Sequence, residues 1–194
     1  MPQLHYFCKK VTEKQNTKMK VAVFCSASES IDPMYFERTA ELGAWMGSEG
    51  MTLVYGGSDQ GLMECLAREV KKNGGRVFGV VPTIVEQRGH VSECLDVHFP
   101  VVNLSDRKDT MMEEADRVVA LPGGIGTLDE VFHVMAATAI GYQRKKVIFY
   151  NIEGFYDELI ALLQELEKKG FCRNVAQKFL VARTLEELKG LLRE

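Results

Sequence analysis

The stretch Arg117-Val-Val-Ala-Leu121-Pro122-Gly-Gly-Ile-Gly-Thr-Leu-Asp-Glu130 decides how the rest of the chain is read. Arg117 to Leu121 is short, apolar and β-branched, and reads as a buried strand. Beyond the glycines, Leu128, Val131, Phe132, Met135 and Ala139 recur at helical spacing. Gly123, Gly124 and Gly126 therefore fall in the turn between a strand's carboxyl end and a helix's amino end. Such a turn suits an anion. Glycines let a ligand approach the backbone, and the first helical N–H groups and the positive end of the helix dipole point at it. No Lys follows the last glycine, as a P-loop requires, and the spacing is not G-x-G-x-x-G. The turn fits something smaller than a dinucleotide: a mononucleotide or a sugar phosphate. The same residues also carry a structural reading, because Thr127-x-x-Glu130 has the spacing of a capping box. Three glycines within four residues exceed what a cap needs, which favours ligand binding, and Glu130 can serve both roles.

Working outward, the chain alternates strands and helices. Val21 to Cys25 is a first strand, closed by the small turn Ser26-Ala-Ser28, and Phe36 to Glu49 is an amphipathic helix with Leu42, Trp45 and Met46 inward and Gly50 as its stop. Met51 to Tyr55 is a second strand, and Gly56-Gly57-Ser58-Asp59-Gln60-Gly61 makes a second glycine-rich turn into a helix ending near Lys72. Arg76 to Val81 is a third strand, halted by Pro82. Thr83 to Leu95 reads as a long loop, and Val97 to Val102 as a fourth strand. Ser105 is positioned to cap a helix carrying Arg107, Lys108, Met111 and Met112; cations so early in a helix oppose its dipole, a local cost that function would explain. After the central motif come a strand at Lys146 to Tyr150, a helix at Tyr156 to Lys169 with Leu159, Leu162, Leu163 and Leu166 as its stripe, a strand at Phe179 to Val181, and a terminal helix opened by the capping box Thr184-x-x-Glu187. This order predicts an α/β fold: a single doubly wound, Rossmann-like domain over residues 19–194, with a mainly parallel sheet and helices on both faces. Ligands of such sheets bind at the carboxyl edge, where both glycine turns would lie. Residues 1–18 are polar and read as an N-terminal arm.

Composition narrows the function classes. With 194 residues, 46% of them hydrophobic, the chain can bury one substantial core, and its net charge of −3 provides no basic face for nucleic acid. No apolar run approaches a membrane span, and the start lacks a signal-like apolar region. Cys8, Cys25, Cys65, Cys94 and Cys172 are odd in number and scattered, which suits reduced thiols and a cytoplasmic setting. His5, His90, His98 and His133 form no H-x-x-x-H pair, so no metal site is expected.

Gly56-Gly57 followed by Gly61-Leu62-Met63, then Arg107-Lys108, then the Pro122 to Glu130 motif resemble the Lonely Guy family, over essentially Lys20 to the C-terminus. The resemblance implies a cytokinin nucleoside 5′-monophosphate phosphoribohydrolase that works as a homodimer and needs no cofactor. It makes Arg107 and Glu130 the catalytic pair. It places Gly56, Gly57, Lys108, Gly123, Gly124, Ile125, Gly126, Thr127, Leu128 and Asp129 against the substrate. The residue types suit that chemistry: cleaving an N-glycosidic bond builds positive charge on the sugar, which a carboxylate stabilises while it orients water. Arg107 would fork onto phosphate or ribose hydroxyls, or hold Glu130 ionised.

The chain also departs from the family's usual pattern. Leu104-Ser105 stands where Met-His is usual, Ala136-Ala-Thr-Ala-Ile-Gly141 where Thr-Trp-x-Gln-Leu-Gly is usual, and Ser58-Asp59 where Gly-Ser is usual. The acidic residue expected in the loop after the third strand has only Gly89 and nearby Glu86 as counterparts. The expectation is therefore a site for phosphoribosyl groups generally, not one tuned to prenylated adenine. Two other readings stay open. A carrier that binds a nucleotide or cofactor without turnover would not need the Arg107–Glu130 pair, and a Rossmann oxidoreductase would need glycines in the turn Cys25-Ser-Ala-Ser28. An older family label, possible lysine decarboxylase, implies a Schiff-base lysine, and no lysine here is placed to act as one.

Overall fold

A computed structural model describes residues 18–194; the arm expected at 1–18 thus lies almost wholly outside the described residues. Seven strands make one sheet: β1 (Lys20–Phe24), β2 (Thr52–Tyr55), β3 (Arg76–Pro82), β4 (Val97–Val101), β5 (Arg117–Ala120), β6 (Val147–Tyr150) and β7 (Phe179–Ala182). Their order is β4-β3-β2-β1-β5-β6-β7, and every neighbouring pair is parallel. Parallel strands covered on both faces need apolar side chains, which is why β1, β2 and β5 are apolar at every position after their first residue and β6 throughout.

The pleat sends alternate residues to opposite layers. Val21, Val23 and Cys25 meet α1 (Pro33–Ser48), α2 (Gly61–Lys72) and α7 (Leu185–Arg193) through Leu42, Met46, Leu66, Val70 and Leu188. Ala22 and Phe24 meet α4 (Leu104–Glu114), α5 (Ile125–Ala139) and α6 (Asp157–Lys168) through Met111, Val131, Val134 and Leu163. The expected doubly wound architecture is what forms. The chain winds outward from β1 to β4, then returns to place β5 on the other side of β1. The winding therefore reverses between β1 and β5, the point where such sheets open a crevice at their carboxyl ends.

Local chemistry sets the helix ends. Asp32 accepts a hydrogen bond from the Met34 amide at 2.9 Å with Pro33 in the first helical position, and Gly50 takes φ +66° where α1 stops. Thr184 caps α7 as expected, accepting from the Glu187 amide at 3.2 Å, while the Glu187 carboxylate accepts from the amide of Arg183 at 2.7 Å. Other expectations need correcting. Asn103, not Ser105, caps α4; its Oδ1 accepts from the amides of Ser105 and Asp106. The loop after β3 contains the short helix α3 (Thr83–Gln87). Phe132 and Leu162 point outward, 42% and 54% exposed, because a helix lying on a sheet buries a narrower stripe than spacing alone suggests; Val134 and Ile160 take the inward places.

Candidate active site

Three strand-to-helix turns converge where the winding reverses. The Ser26 amide donates to the carbonyl of Pro122 at 3.2 Å, and the Leu62 amide donates to the carbonyl of Ser26 at 2.9 Å. The turns after β1, β2 and β5 are thereby tied into one surface. Gly61, at φ +56°, belongs to that tie: a Cβ there would lie 2.5 Å from the carbonyl carbon of Ala27.

Helix α5 begins at Ile125 with Gly124 as its N-cap, three residues earlier than a capping box at Thr127 requires. The capping-box reading is thereby overturned. Thr127 sits in the first turn, buried, with its Oγ1 at 2.1 Å from where a Cβ on Gly123 would be. Among the described residues, no side chain caps the first amides of α5, and nothing lies within 4 Å of a Cβ built on Gly124 or Gly126. Open space thus faces uncapped N–H groups at the positive end of a helix, an arrangement that suits an anion.

Glu130 lies one turn further along α5 and is buried at 6% exposure. Arg107 reaches it from α4, with Nη1 at 4.0 Å from Glu130 Oε1. That separation attracts but does not hydrogen-bond. Arg107 Nε is buried without a partner among the described residues. Burial drives the Glu130 carboxyl up to about 7, Asp129 pushes in the same direction, and Arg107 and Lys108 oppose. Burial also pushes the neighbouring Cys25 thiol well up, with Glu130 adding to the shift, so that thiol stays protonated and unreactive.

Arg107, Glu130, Thr127, Gly124 and Gly126 line one side of a cavity of about 250 Å3. Cys25, Ser26, Ala27 and Met63 close the other. Three larger hollows, of about 510, 580 and 360 Å3, lie elsewhere: at the amino-terminal edge of β5–β6, between α4 and α5 near His133, and beside Glu64 and Arg68 of α2. Size therefore does not single out the site. The convergence of a guanidinium whose Nε has no partner among the described residues, a buried carboxylate and amides that no described side chain caps does.

The remaining expected residues take varied positions. Lys108 Nζ donates to both carboxylate oxygens of Asp129, at 2.8 and 2.7 Å, and so joins α4 to α5. Ile125 is 83% exposed at the mouth of the turn, and Leu128 packs into the core. Gly56 and Gly57 do not line the cavity. A Cβ on Gly56 would lie 1.6 Å from Arg107 Nη2, so this glycine clears the path of the guanidinium; a Cβ on Gly57, at φ +73°, would lie 2.4 Å from Val81 Cγ2. Four lining residues were outside the expected set: Cys25, Ser26, Ala27 and Met63. The small turn after the first strand and the Gly61-Leu62-Met63 run were the signals for them. Among the described residues, no group of three or more His, Cys, Asp or Glu could hold a metal ion.

Comparison with known proteins accords with this geometry. Residues 63–192 match a family model described as "Possible lysine decarboxylase". The chain is 36% identical over 163 residues to the probable cytokinin riboside 5′-monophosphate phosphoribohydrolase LOGL5 of Oryza sativa subsp. japonica, covering 84% of this chain and 66% of that protein. It is 32% identical over 170 residues to the cytokinin riboside 5′-monophosphate phosphoribohydrolase LOG7 of Arabidopsis thaliana, covering 88% and 78% respectively. Among solved structures, the molybdenum cofactor binding protein of the phototrophic bacterium Rippkaea orientalis shares the fold, with TM-score 0.70 at 24% identity over 91% of this chain and 96% of that one. The Moco carrier protein of Chlamydomonas reinhardtii does so with TM-score 0.69 at 20% identity, over the same shares.

Proposed function

This chain belongs to the Lonely Guy family, the group whose model carries the description "Possible lysine decarboxylase", and from that premise we propose that it hydrolyses nucleoside 5′-monophosphates to free base and ribose 5-phosphate. One observation carries the reading. Arg107 and Glu130 face each other at 4.0 Å in a small cavity, both largely buried, neither hydrogen-bonded to the other, beside the unpaired amides of α5. Buried charges left this incomplete are costly, and a ligand with a phosphate and a sugar completes them.

In this reading the 5′-phosphate sits on the amides of Ile125, Gly126 and Thr127, and Arg107 forks onto phosphate or ribose oxygens. The C1′–N bond breaks with its electron pair leaving on the base, which takes up a proton from solvent; the proton that Glu130 then takes from water returns to solvent, so one water is consumed per base released. Positive charge grows on the sugar, and the Glu130 carboxylate, close by and poorly solvated, stabilises it. Water adds to C1′ and gives its proton to Glu130, whose affinity for a proton near neutral pH suits a general base. A lysine decarboxylase would need a free lysine in the cavity. Among the described residues no lysine lines it, and Lys108 is held by Asp129.

The carrier reading has support in the fold shared with cofactor-binding proteins. A carrier has no use for a carboxylate tuned as Glu130 is. The deciding experiment is chromatography of AMP and isopentenyladenosine monophosphate after incubation with the protein and EDTA. Free base is expected from both, with kcat/KM differing by less than about tenfold, a gap of about 1.4 kcal/mol. Base from neither would overturn the proposal. A hundredfold preference for the prenylated substrate would overturn only the breadth of the base pocket, which rests on a cavity that the described residues line without an aromatic ring.

A further inference from the structure

We propose that Tyr156 is a positioning residue for the phosphate turn, acting from the crossover after β6, outside the cavity. The inference rests on the reading of the α5 amides as the phosphate site. Tyr156 is buried, at 1% exposure, and its hydroxyl donates to the carbonyl of Leu121 at 2.5 Å. Leu121 immediately precedes Pro122-Gly123-Gly124. The next carbonyl, that of Pro122, accepts from the Ser26 amide on the β1 side. Two consecutive carbonyls at the base of the turn are thus held from opposite sides, one by backbone and one by a single side chain.

The side chain is itself fixed. The Tyr156 amide donates to Asn151 Oδ1 at 2.7 Å, Asn151 Nδ2 donates to Asp157 at 2.7 Å, and the ring packs against Phe149 and Phe155 with centroids 4.6 and 4.9 Å away. A glycine-rich turn has little internal resistance to rotation of its peptide planes. Aiming three amides at one anion therefore depends on what holds the residues before it. Pro122 has no N–H to hold it, so Leu121 is the last residue before the glycines whose carbonyl a side chain anchors. Without the hydroxyl, the turn would have to be ordered by the ligand at the moment of binding, which lowers affinity.

The test is calorimetric titration of ribose 5-phosphate into the wild-type protein, Tyr156→Phe and Asn151→Ala. Tyr156→Phe keeps the ring and removes only the donor. Its Kd for ribose 5-phosphate is expected to rise about tenfold, the scale of one lost hydrogen bond to a buried carbonyl. KM for AMP should rise in parallel with kcat held within about threefold, because Arg107 stands on α4 and Glu130 lies inside α5, beyond the turn and held by the helix's own hydrogen bonds. Asn151→Ala, which frees the backbone of Tyr156 and leaves its hydroxyl, should give a smaller rise. A variant that melts lower but binds ribose 5-phosphate within twofold of wild type would make the hydrogen bond merely structural and overturn the inference. So would loss of the fold in both variants. Wild-type protein that does not bind ribose 5-phosphate at all would instead overturn the functional reading beneath it.

Discussion

At the scale of single residues, Glu130 has the most to lose and gain from its surroundings. Its carboxyl holds a proton up to about pH 7, whereas in the unfolded chain it would release it near 4.5. Between those values the native state binds more protons than the unfolded state, so stability falls as pH rises, and the cost persists above pH 7. Glu130→Gln removes that cost. The variant is expected to melt close to wild type at pH 4.5 and several degrees higher at pH 8, a difference on the order of 1–3 kcal/mol. Scanning calorimetry at both pH values checks it; equal melting at pH 8 would show that the native carboxyl ionises normally. The same substitution, like Arg107→Ala, should cost roughly a hundredfold or more in kcat. Wild-type kcat/KM should climb with pH through an apparent value near 7, because the ionised form does the work. A flat profile between pH 5 and 8 would contradict that assignment.

At the scale of elements, the site depends on clearances between pieces far apart in sequence. The turn after β2 gives way to a side chain from α4: a Cβ on Gly56 would sit 1.6 Å from Arg107 Nη2. That neighbour is the end of a flexible side chain, so Gly56→Ala should move the guanidinium at little cost to the fold. The expected outcome is a loss of turnover approaching that of Arg107→Ala with a melting temperature within a few degrees of wild type. Steady-state kinetics beside a thermal melt decide it, and full activity would mean that Arg107 does its work from another position. This clearance marks the limit of what the amino-acid order shows. The strand runs, the parallel winding and the glycine turn between β5 and α5 were legible because period and glycine placement are local properties. That Gly56 serves Arg107 was not, since nothing local connects them. Nor was the start of α5: Thr127-x-x-Glu130 has the same spacing wherever the helix begins, and only the conformation of Gly124 puts the cap three residues earlier. Phe132 misled in the same way, because a 3.6-residue period does not say which edge of an apolar stripe reaches the sheet.

Phe132 has a meaning at the scale of the whole molecule. With Ala136 and Ile140 it forms an exposed stripe at i, i+4 and i+8 along α5, Ile140 being 72% exposed and the adjacent Tyr142 85%. We propose that a second copy of the chain covers this stripe, the small side chains of Ala136 and Ala139 allowing close approach. Light scattering at micromolar concentration should give twice 21.8 kDa, and Phe132→Lys should reduce it to the single-chain mass. A wild-type mass of one chain would contradict the pairing. Within one copy, the tie between the first and fifth strands has a further consequence, for how the molecule is made. Lys20 and Asp116, which close the far end of that seam, are 96 residues apart. Local units on either side of the seam can each wind up early, but loops of such length close slowly. Glu130, Thr127 and Gly124 come from one side of that divide, and Cys25, Ser26, Met63 and Arg107 from the other. No fragment or half-folded intermediate can therefore assemble the cavity, and recovered hydrolysis after refolding reports a single event, the joining of two halves of a nascent sheet.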